Sequence, residues 1–243
     1  MIIYPKNWKE IGQPTKLKEI EDTILQILSE IDCNCLSFSG GLDSSLMLYF
    51  MLKVHKQVQT FTIGISKSHP DVRYSRLVID KFDNIIPDLY IPSIIPRFYI
   101  PSWEEIKNTK ESFKEFEGDN AVRLFYKFLR RYTDKIIACD GIDEFMCGYY
   151  VHQTNPNEET YYNYMKRLQK EQLIPLDKNS ERVKVYLPYL DDRLILLLSQ
   201  IPISEKVDKE CRKKLMVEIA KTKIPNEIIT RRKYGFCDVL KIK

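Results

Sequence analysis

The chain has 243 residues, of which 44% are hydrophobic and 30% charged, and its formal net charge is +4. This length and composition are typical of a globular protein with one large domain, or one domain and a small appendage. The modest positive charge permits an anionic ligand such as a nucleotide, but it does not predict nucleic acid as a partner. No apolar run approaches the roughly 18 residues of a membrane-spanning helix, so no membrane partner is expected.

The cysteine pattern indicates a reducing compartment. Six cysteines occur, and no two of them form a C-x-x-C pair. The first residues, 1–6, contain no long apolar segment of the kind found in secretory signal peptides. We therefore expect a cytoplasmic protein with reduced, mostly buried thiols. The three histidines are scattered along the chain, which does not favour a zinc site.

Hydrophobic periodicity predicts alternating helices and strands over the first 140 residues. Apolar residues at helical spacing predict helices, which cover 15–31, 43–54, 70–82 and 119–132. Short runs rich in β-formers predict strands, which cover 35–38, 59–65, 85–91 and 135–138. This alternation predicts an α/β fold, in which a parallel sheet carries helices on both faces.

The character of the chain changes after Tyr150. The following residues are polar and rich in tyrosine, without a strand signal, and two later helices are predicted, over 191–200 and 209–222. We therefore predict three segments: an N-terminal extension and helix, an α/β core, and a mostly helical C-terminal part, covering 1–32, 33–150 and 151–243.

Positive charge is concentrated near the end of the chain. Residues 206–243 contain twelve Lys/Arg against five Asp/Glu, a net charge of +7. This excess is consistent with a solvated helical face, or with a surface that faces a polyphosphate.

The strongest local signal is the segment 39–45, Ser-Gly-Gly-Leu-Asp-Ser-Ser, between a predicted strand and a predicted buried helix. Its glycines let backbone N–H groups approach phosphate oxygens, and the next helix presents its positive N-terminal end. Asp43 would repel phosphate unless a Mg²⁺ ion bridged them. The segment lacks the lysine of a Walker A loop.

A second segment, 138–149, follows a predicted strand and carries three carboxylates within five residues, Asp140, Asp143 and Glu144. Three acids at the end of one strand repel each other unless a cation or a bound substrate offsets their charge. The segment therefore predicts a site for a cation or a substrate.

These two segments resemble known sequences. The first resembles the PP-loop of the N-type ATP pyrophosphatases, and the second resembles the S-G-[DE]-G-x-D-E-x-x-x-G-Y segment of class B asparagine synthetases. Three further matches follow in family order: 187–193 with V-P-F-L-D-x-R, 213–216 with K-x-[IL]-[LM], and 231–236 with R-x-K-x-G-F. Together the matches span about residues 36–236.

The resemblance implies a fold of the adenine nucleotide alpha hydrolase type, in which the parallel sheet has five strands. It also implies ATP and Mg²⁺ as ligands. It implies catalytic roles for Asp140 and Lys213 and metal ligation by Asp43 and Asp143. Lys213 is preferred to Lys214 because it lies twelve residues before Pro225. The nucleotide contacts that it implies are Phe38, Ser39, Gly40, Gly41, Asp43, Ser44, Ser45, Ile63, Gly64, Gly141 and Lys233, with Ile63, Gly64 and Phe38 nearest the adenine.

The activity implied is a ligase reaction, in which a carboxylate is adenylated with release of pyrophosphate and then joined to ammonia or an amine. No cysteine precedes Cys33, so we expect no glutaminase domain. We expect the nitrogen to come from ammonia, from an amine or from a separate amidotransferase subunit. Lys184 and Tyr186 stand where the family has E-x-R. Since that region helps to bind the amino-acid substrate, the identity of the small carboxylate stays open.

Two other functions fit the same motifs. A PP-loop enzyme could adenylate a nucleic acid or a peptide, for which a strong basic groove would be the distinguishing feature. Alternatively, the chain could be a nucleotide-binding subunit without chemistry of its own. The segment 39–45, together with Asp143 and Lys213, favours an enzyme over this last function.

Overall fold

The computed structural model describes residues 17–85, 93–112, 117–235 and 239–240. Its strands are β1 Cys35–Ser37, β2 Gln57–Ile63, β3 Ser93–Tyr99, β4 Lys135–Ile137 and β5 Lys184–Tyr186. In the described residues these strands form one sheet, in the order β3-β2-β1-β4-β5, and every neighbouring pair is parallel. The predicted α/β fold with a five-stranded parallel sheet is confirmed.

Helices precede, connect and follow the strands. Their bounds are α1 Leu17–Glu30, α2 Leu42–Val54, α3 Pro70–Ile85, α4 Trp103–Ser112, α5 Glu117–Leu129, α6 Ile142–Phe145, α7 Tyr150–Thr154, α8 Glu158–Leu168, α9 Ile174–Asn179, α10 Asp192–Ser199, α11 Ile203–Lys206, α12 Lys214–Ala220 and α13 Asn226–Ile229. A π-helical turn, Gln169–Leu173, joins α8 to α9. None of the described helices is both long and apolar enough to cross a membrane.

The strand order places helices on both faces of the sheet. Strands β2 and β3 are added successively on one side of β1, whereas β4 and β5 lie on the other side. Because crossover connections are right-handed, α2 and α3 lie on one face and α5 lies on the opposite face. Helices α1 and α12 pack against α2, and α9 packs against α5.

The core centres on α2, which is apolar almost all round. Leu46, Met47, Leu48, Phe50 and Met51 are fully buried, because this helix lies between the sheet and the helices α1, α12 and α13. The helix begins at Leu42, within the glycine-rich segment 39–45, so a buried helix holds that segment in place.

Three sequence predictions differ from the structure. The third strand was predicted at 85–91, but residue 85 ends α3, residues 86–92 lie outside the described ranges, and β3 is Ser93–Tyr99. β3 is an edge strand, and its Pro96 can be tolerated because one side of an edge strand needs no ladder hydrogen bonds. Because of this proline and the weak alternation of apolar and polar residues, the sequence pattern did not predict a strand here.

The other two differences lie in the C-terminal part. β5 lies within the segment predicted to be mostly helical, and it extends the sheet beside β4. At three residues it is too short to produce a periodicity signal. The helix predicted over 209–222 begins only at Lys214, because Lys213 has a left-handed backbone with φ of 53°. The division of the chain into 1–32, 33–150 and 151–243 stays a prediction.

Candidate active site

The glycine-rich loop and the acidic segment meet at one edge of the sheet. The loop follows β1 and the acidic segment follows β4, and these two parallel strands are neighbours. The chain leaves β1 and β4 towards opposite sides of the sheet, which opens a crevice at their carboxyl ends, the usual ligand position in open α/β sheets. A cavity of about 920 Å³ lies there and is lined by both segments.

The loop places small groups and hydroxyls at the start of α2. Gly40 has a φ of +63°, and a Cβ atom built on it would lie 2.4 Å from the backbone nitrogen of Ser75. Only glycine fits there, because the loop packs directly against α3. The hydroxyl of Ser39 lies 3.3 Å from that of Ser44 and accepts a hydrogen bond from the Gly41 N–H. With the helix N-terminus behind it, this arrangement suits a polyphosphate.

The central feature of the site is a cluster of opposite charges. Lys213 Nζ donates to both carboxylate oxygens of Asp43 at 2.7 Å and forms an ion pair with Asp143 Oδ1 at 2.8 Å. The Lys213 side chain is only 6% exposed. Lys233 reaches the other oxygen of Asp143. One lysine therefore joins the loop after β1 to the segment after β4, over sequence separations of 170 and 70 residues.

Burial and charge set different protonation states for the two aspartates of the acidic segment. Burial opposes ionisation of Asp143, but Lys213 and Lys233 outweigh it and hold the pKa of that carboxyl well below its usual range. Burial above all, together with nearby Glu144, raises the pKa of Asp140 to about 6, against the lowering influence of Lys233. Two carboxyls three residues apart thus differ in proton affinity, as is common for groups with different catalytic roles.

The geometry of this charge cluster indicates which carboxylates could bind a divalent cation. Lys213 Nζ already contacts Asp43 and Asp143 together, so these carboxylates converge on one cation. Mg²⁺ commonly takes one or two carboxylates and completes its shell with phosphate oxygens and water. In the part of the chain that the structure describes, no group of three or more His, Cys, Asp or Glu side chains could hold a metal. Asp43 and Asp143 match the one or two carboxylates that Mg²⁺ takes beside a polyphosphate, and metal binding by these two residues stays a prediction.

Close packing fixes the cluster. A Cβ atom on Gly148 would lie 2.0 Å from Asp143 Oδ1 and 2.3 Å from Lys213 Cε. The fully buried Tyr189 donates its hydroxyl proton to the Asp43 carbonyl at 3.0 Å. Sequence reasoning gave neither residue a role, although Gly148 and Tyr189 both stood in the matched motifs.

Part of the cavity lies along β1 and β2, where the contacts with the nucleoside were predicted. Phe38 and Ile63 line it, and both are almost fully buried. The Phe38 carbonyl accepts hydrogen bonds from the hydroxyls of Thr62 and Ser75, which ties the end of β1 to β2 and α3. A Cβ atom on Gly64 would lie 2.7 Å from the Val72 side chain, so this glycine permits close packing of α3.

The structure brings most of the predicted site residues to this cavity. Those that line it are Phe38, Ser39, Gly41, Asp43, Ser44, Ile63, Asp140, Gly141, Asp143, Lys213 and Lys233. Gly40, Ser45 and Gly64 do not line it. Ser45 is fully buried under the loop, and the two glycines allow the close approach of α3. The individual ligand contacts of all these residues stay predictions.

Comparison with known proteins identifies relatives of this chain. The family model described as asparagine synthase matches residues 33–182 and 103–242. The chain is 27% identical over 232 residues to the glutamine-hydrolyzing asparagine synthetase of Homo sapiens, covering 88% of this chain and 40% of that protein. It is 26% identical over 219 residues to that of Gallus gallus, covering 82% and 38%. The chain thus spans about two fifths of the length of these relatives.

We expect Gly148→Ala to destabilise the protein, because the added methyl group must displace a buried carboxylate or lysine. Overpacking of this kind costs about 1–3 kcal/mol of unfolding free energy. The matched control is Gly41→Ala, since a Cβ atom there meets only the Ser39 hydroxyl, at 3.3 Å, and φ is an ordinary −86°. Urea unfolding of both variants measures the difference. Equal losses of stability would contradict the close packing at Gly148.

Proposed function

The chain belongs to the asparagine synthase family, and from this premise we propose that it is an AMP-forming carbon–nitrogen ligase. In this proposal it adenylates a small carboxylate with ATP, releases pyrophosphate, and joins the carboxylate to ammonia or an amine as an amide. The observation that carries the proposal is the charge cluster, in which Lys213 bridges Asp43 of the loop and Asp143 of the acidic segment.

The charge balance of the cluster supports a nucleotide that arrives with a cation. Seven Asp or Glu residues line the cavity against five Lys or Arg residues, so carboxylates are in excess. A polyphosphate brings further negative charge, which the N-terminus of α2 and the lysines offset only in part. Mg²⁺ held by Asp43 and Asp143 would supply the remaining positive charge and polarise the phosphate oxygens.

Each side chain then has a distinct task. The loop over 39–45 binds the β- and γ-phosphates and orients the α-phosphorus towards the carboxylate, which is catalysis by positioning. Lys213, buried beside Asp43, stabilises the negative charge that develops on the departing pyrophosphate. Asp140, whose pKa lies near 6, accepts a proton from the incoming nitrogen nucleophile.

The acceptor occupies the end of the cavity opposite the nucleoside. Beside the acidic segment the cavity lining includes aromatic, amide and charged side chains, namely Tyr149, Tyr150, Gln153, Glu171, Gln172 and Arg212. Glu171 and Gln172 lie in the π-helical turn, a feature that is frequent at functional sites. We propose a small carboxylate that need not be aspartate, with nitrogen taken as ammonia, as an amine, or from a separate amidotransferase subunit.

We expect ATP to yield AMP and pyrophosphate, because the loop lacks the Walker A lysine and shares its cavity with the acidic segment. Nucleotide chromatography after incubation with Mg²⁺, ammonia and a panel of carboxylic amino acids measures the products. ADP as the main product would contradict the mechanism. Stabilisation by ATP and Mg²⁺ without consumption of ATP for any acceptor would instead favour a nucleotide-binding subunit.

We expect Lys213→Ala to lower turnover about a hundred- to a thousand-fold, by analogy with loss of one oxyanion donor worth about 2.7–4 kcal/mol. Lys214→Ala is the matched control, because Lys214 Nζ points away to the Ser204 carbonyl and to Asp208. The Lys214→Ala substitution should change turnover little. Pyrophosphate release by both variants is the measurement, and an equal or larger loss for Lys214→Ala would refute the assignment.

We expect Asp140 to produce a pH dependence that Asp140→Asn abolishes. A base must be deprotonated, so activity that depends on Asp140 rises with pH up to its pKa of about 6 and then levels. Ammonia ionises to the same extent in both assays. Dividing kcat/KM of wild type by that of Asp140→Asn therefore removes the effect of ammonia ionisation on the pH dependence. This ratio should rise about tenfold per pH unit below pH 6. A ratio that is constant across pH 5–8 would exclude Asp140 as the base.

A further inference from the structure

Arg231 is buried against the phosphate loop and lines the same cavity, and the function proposed above gives it no role. Its Nη1 group donates to the carbonyl oxygens of Ser39 and Gly40, at 3.0 and 2.9 Å. Its Nη2 group donates to Asp71 Oδ1, near the start of α3, at 2.6 Å. The Arg231 side chain is 3% exposed.

Several contacts fix the guanidinium in place. Its carbon lies 4.5 Å from the centre of the Tyr74 ring, also on α3. The Asp71 carboxylate that it pairs with is 6% exposed. A planar guanidinium can hold several acceptors at once, whereas a lysine ammonium reaches them from a single point. Arg231 therefore clamps the loop to α3 from a position 191 residues later in the chain.

The two carbonyls that Arg231 holds determine where two N–H groups point. In a planar trans peptide group the C=O and N–H bonds point in opposite directions. The Ser39 carbonyl shares its peptide group with the Gly40 N–H, and the Gly40 carbonyl shares its peptide group with the Gly41 N–H. When Arg231 draws both carbonyls towards itself, both N–H groups point away from it.

We propose that Arg231 is a positioning residue, which orients these peptide groups so that the N–H of Gly41, a residue that lines the cavity, exchanges its 3.3 Å contact with the Ser39 hydroxyl for the pyrophosphate moiety. Glycines at these positions make the peptide groups free to rotate, so an external group must select one orientation. Arg231 also keeps two carbonyl oxygens, which would repel phosphate, out of the anion site. The inference rests on the proposed function, because it assumes that this loop holds the β- and γ-phosphates.

The test is direct binding, which does not require turnover. Calorimetry measures the dissociation constants of magnesium pyrophosphate and of AMP for wild type and for Arg231→Lys. We expect pyrophosphate binding to weaken about tenfold or more, while AMP binding changes less than about twofold, because AMP does not need the reoriented peptide groups. Arg73→Lys is the matched control, since Arg73 is exposed on the same α3 helix, and it should leave both constants unchanged.

A second variant separates this role from simple stabilisation. Arg231→Gln removes the cation that pairs with the buried Asp71 carboxylate, so it is combined with Asp71→Asn, which removes the negative charge as well. The double variant should still bind pyrophosphate at least tenfold more weakly than wild type and AMP normally. Wild-type affinity for pyrophosphate, or an equal loss for AMP and pyrophosphate, would overturn the proposal. Wild type that binds pyrophosphate but never splits ATP would refute the proposed function and leave this inference standing.

Discussion

The ion pairs of Lys213 are the interaction on which the site depends. Asp43 and Asp143 lie at the ends of neighbouring strands, and without a cation between them their charges would push the two segments apart. A buried ion pair gains stability only when its geometry is good and its remaining groups are satisfied. The second lysine, Lys233, contributes to that balance through the other oxygen of Asp143. The site is therefore assembled by electrostatics as much as by packing.

The parallel sheet explains why these charges can meet. β1 and β4 are neighbours in space, although about 100 residues separate them in the chain. Their carboxyl ends open onto the same edge, and the loop and the acidic segment leave them there. α12 and the segment after α13 then bring Lys213 and Lys233 to the same edge. Close approach is permitted by glycine at Gly40 and Gly148, where a side chain would collide with α3 or with the charge cluster.

The sequence indicated most of the fold because its strongest signals are local. The all-round apolar pattern of α2, the alternation of strand and helix, and the glycine-rich loop each depend on residues near one another in the chain. The failures are short or irregular elements. β5 has three residues, β3 contains Pro96, and α12 starts after a left-handed lysine, so none of them has a clear periodicity.

By itself, the sequence determined the fold class, the family resemblance, and the segments that line the cavity, because these follow from local pattern and motif order. Only the tertiary structure decided which side chains touch. It paired Lys213 with two aspartates, directed Lys214 away, and placed Arg231 on the loop carbonyls and Tyr189 on the Asp43 carbonyl. Such contacts join residues that lie tens to almost two hundred positions apart. No local pattern encodes them, because the packing of the whole chain sets the distance between two such side chains.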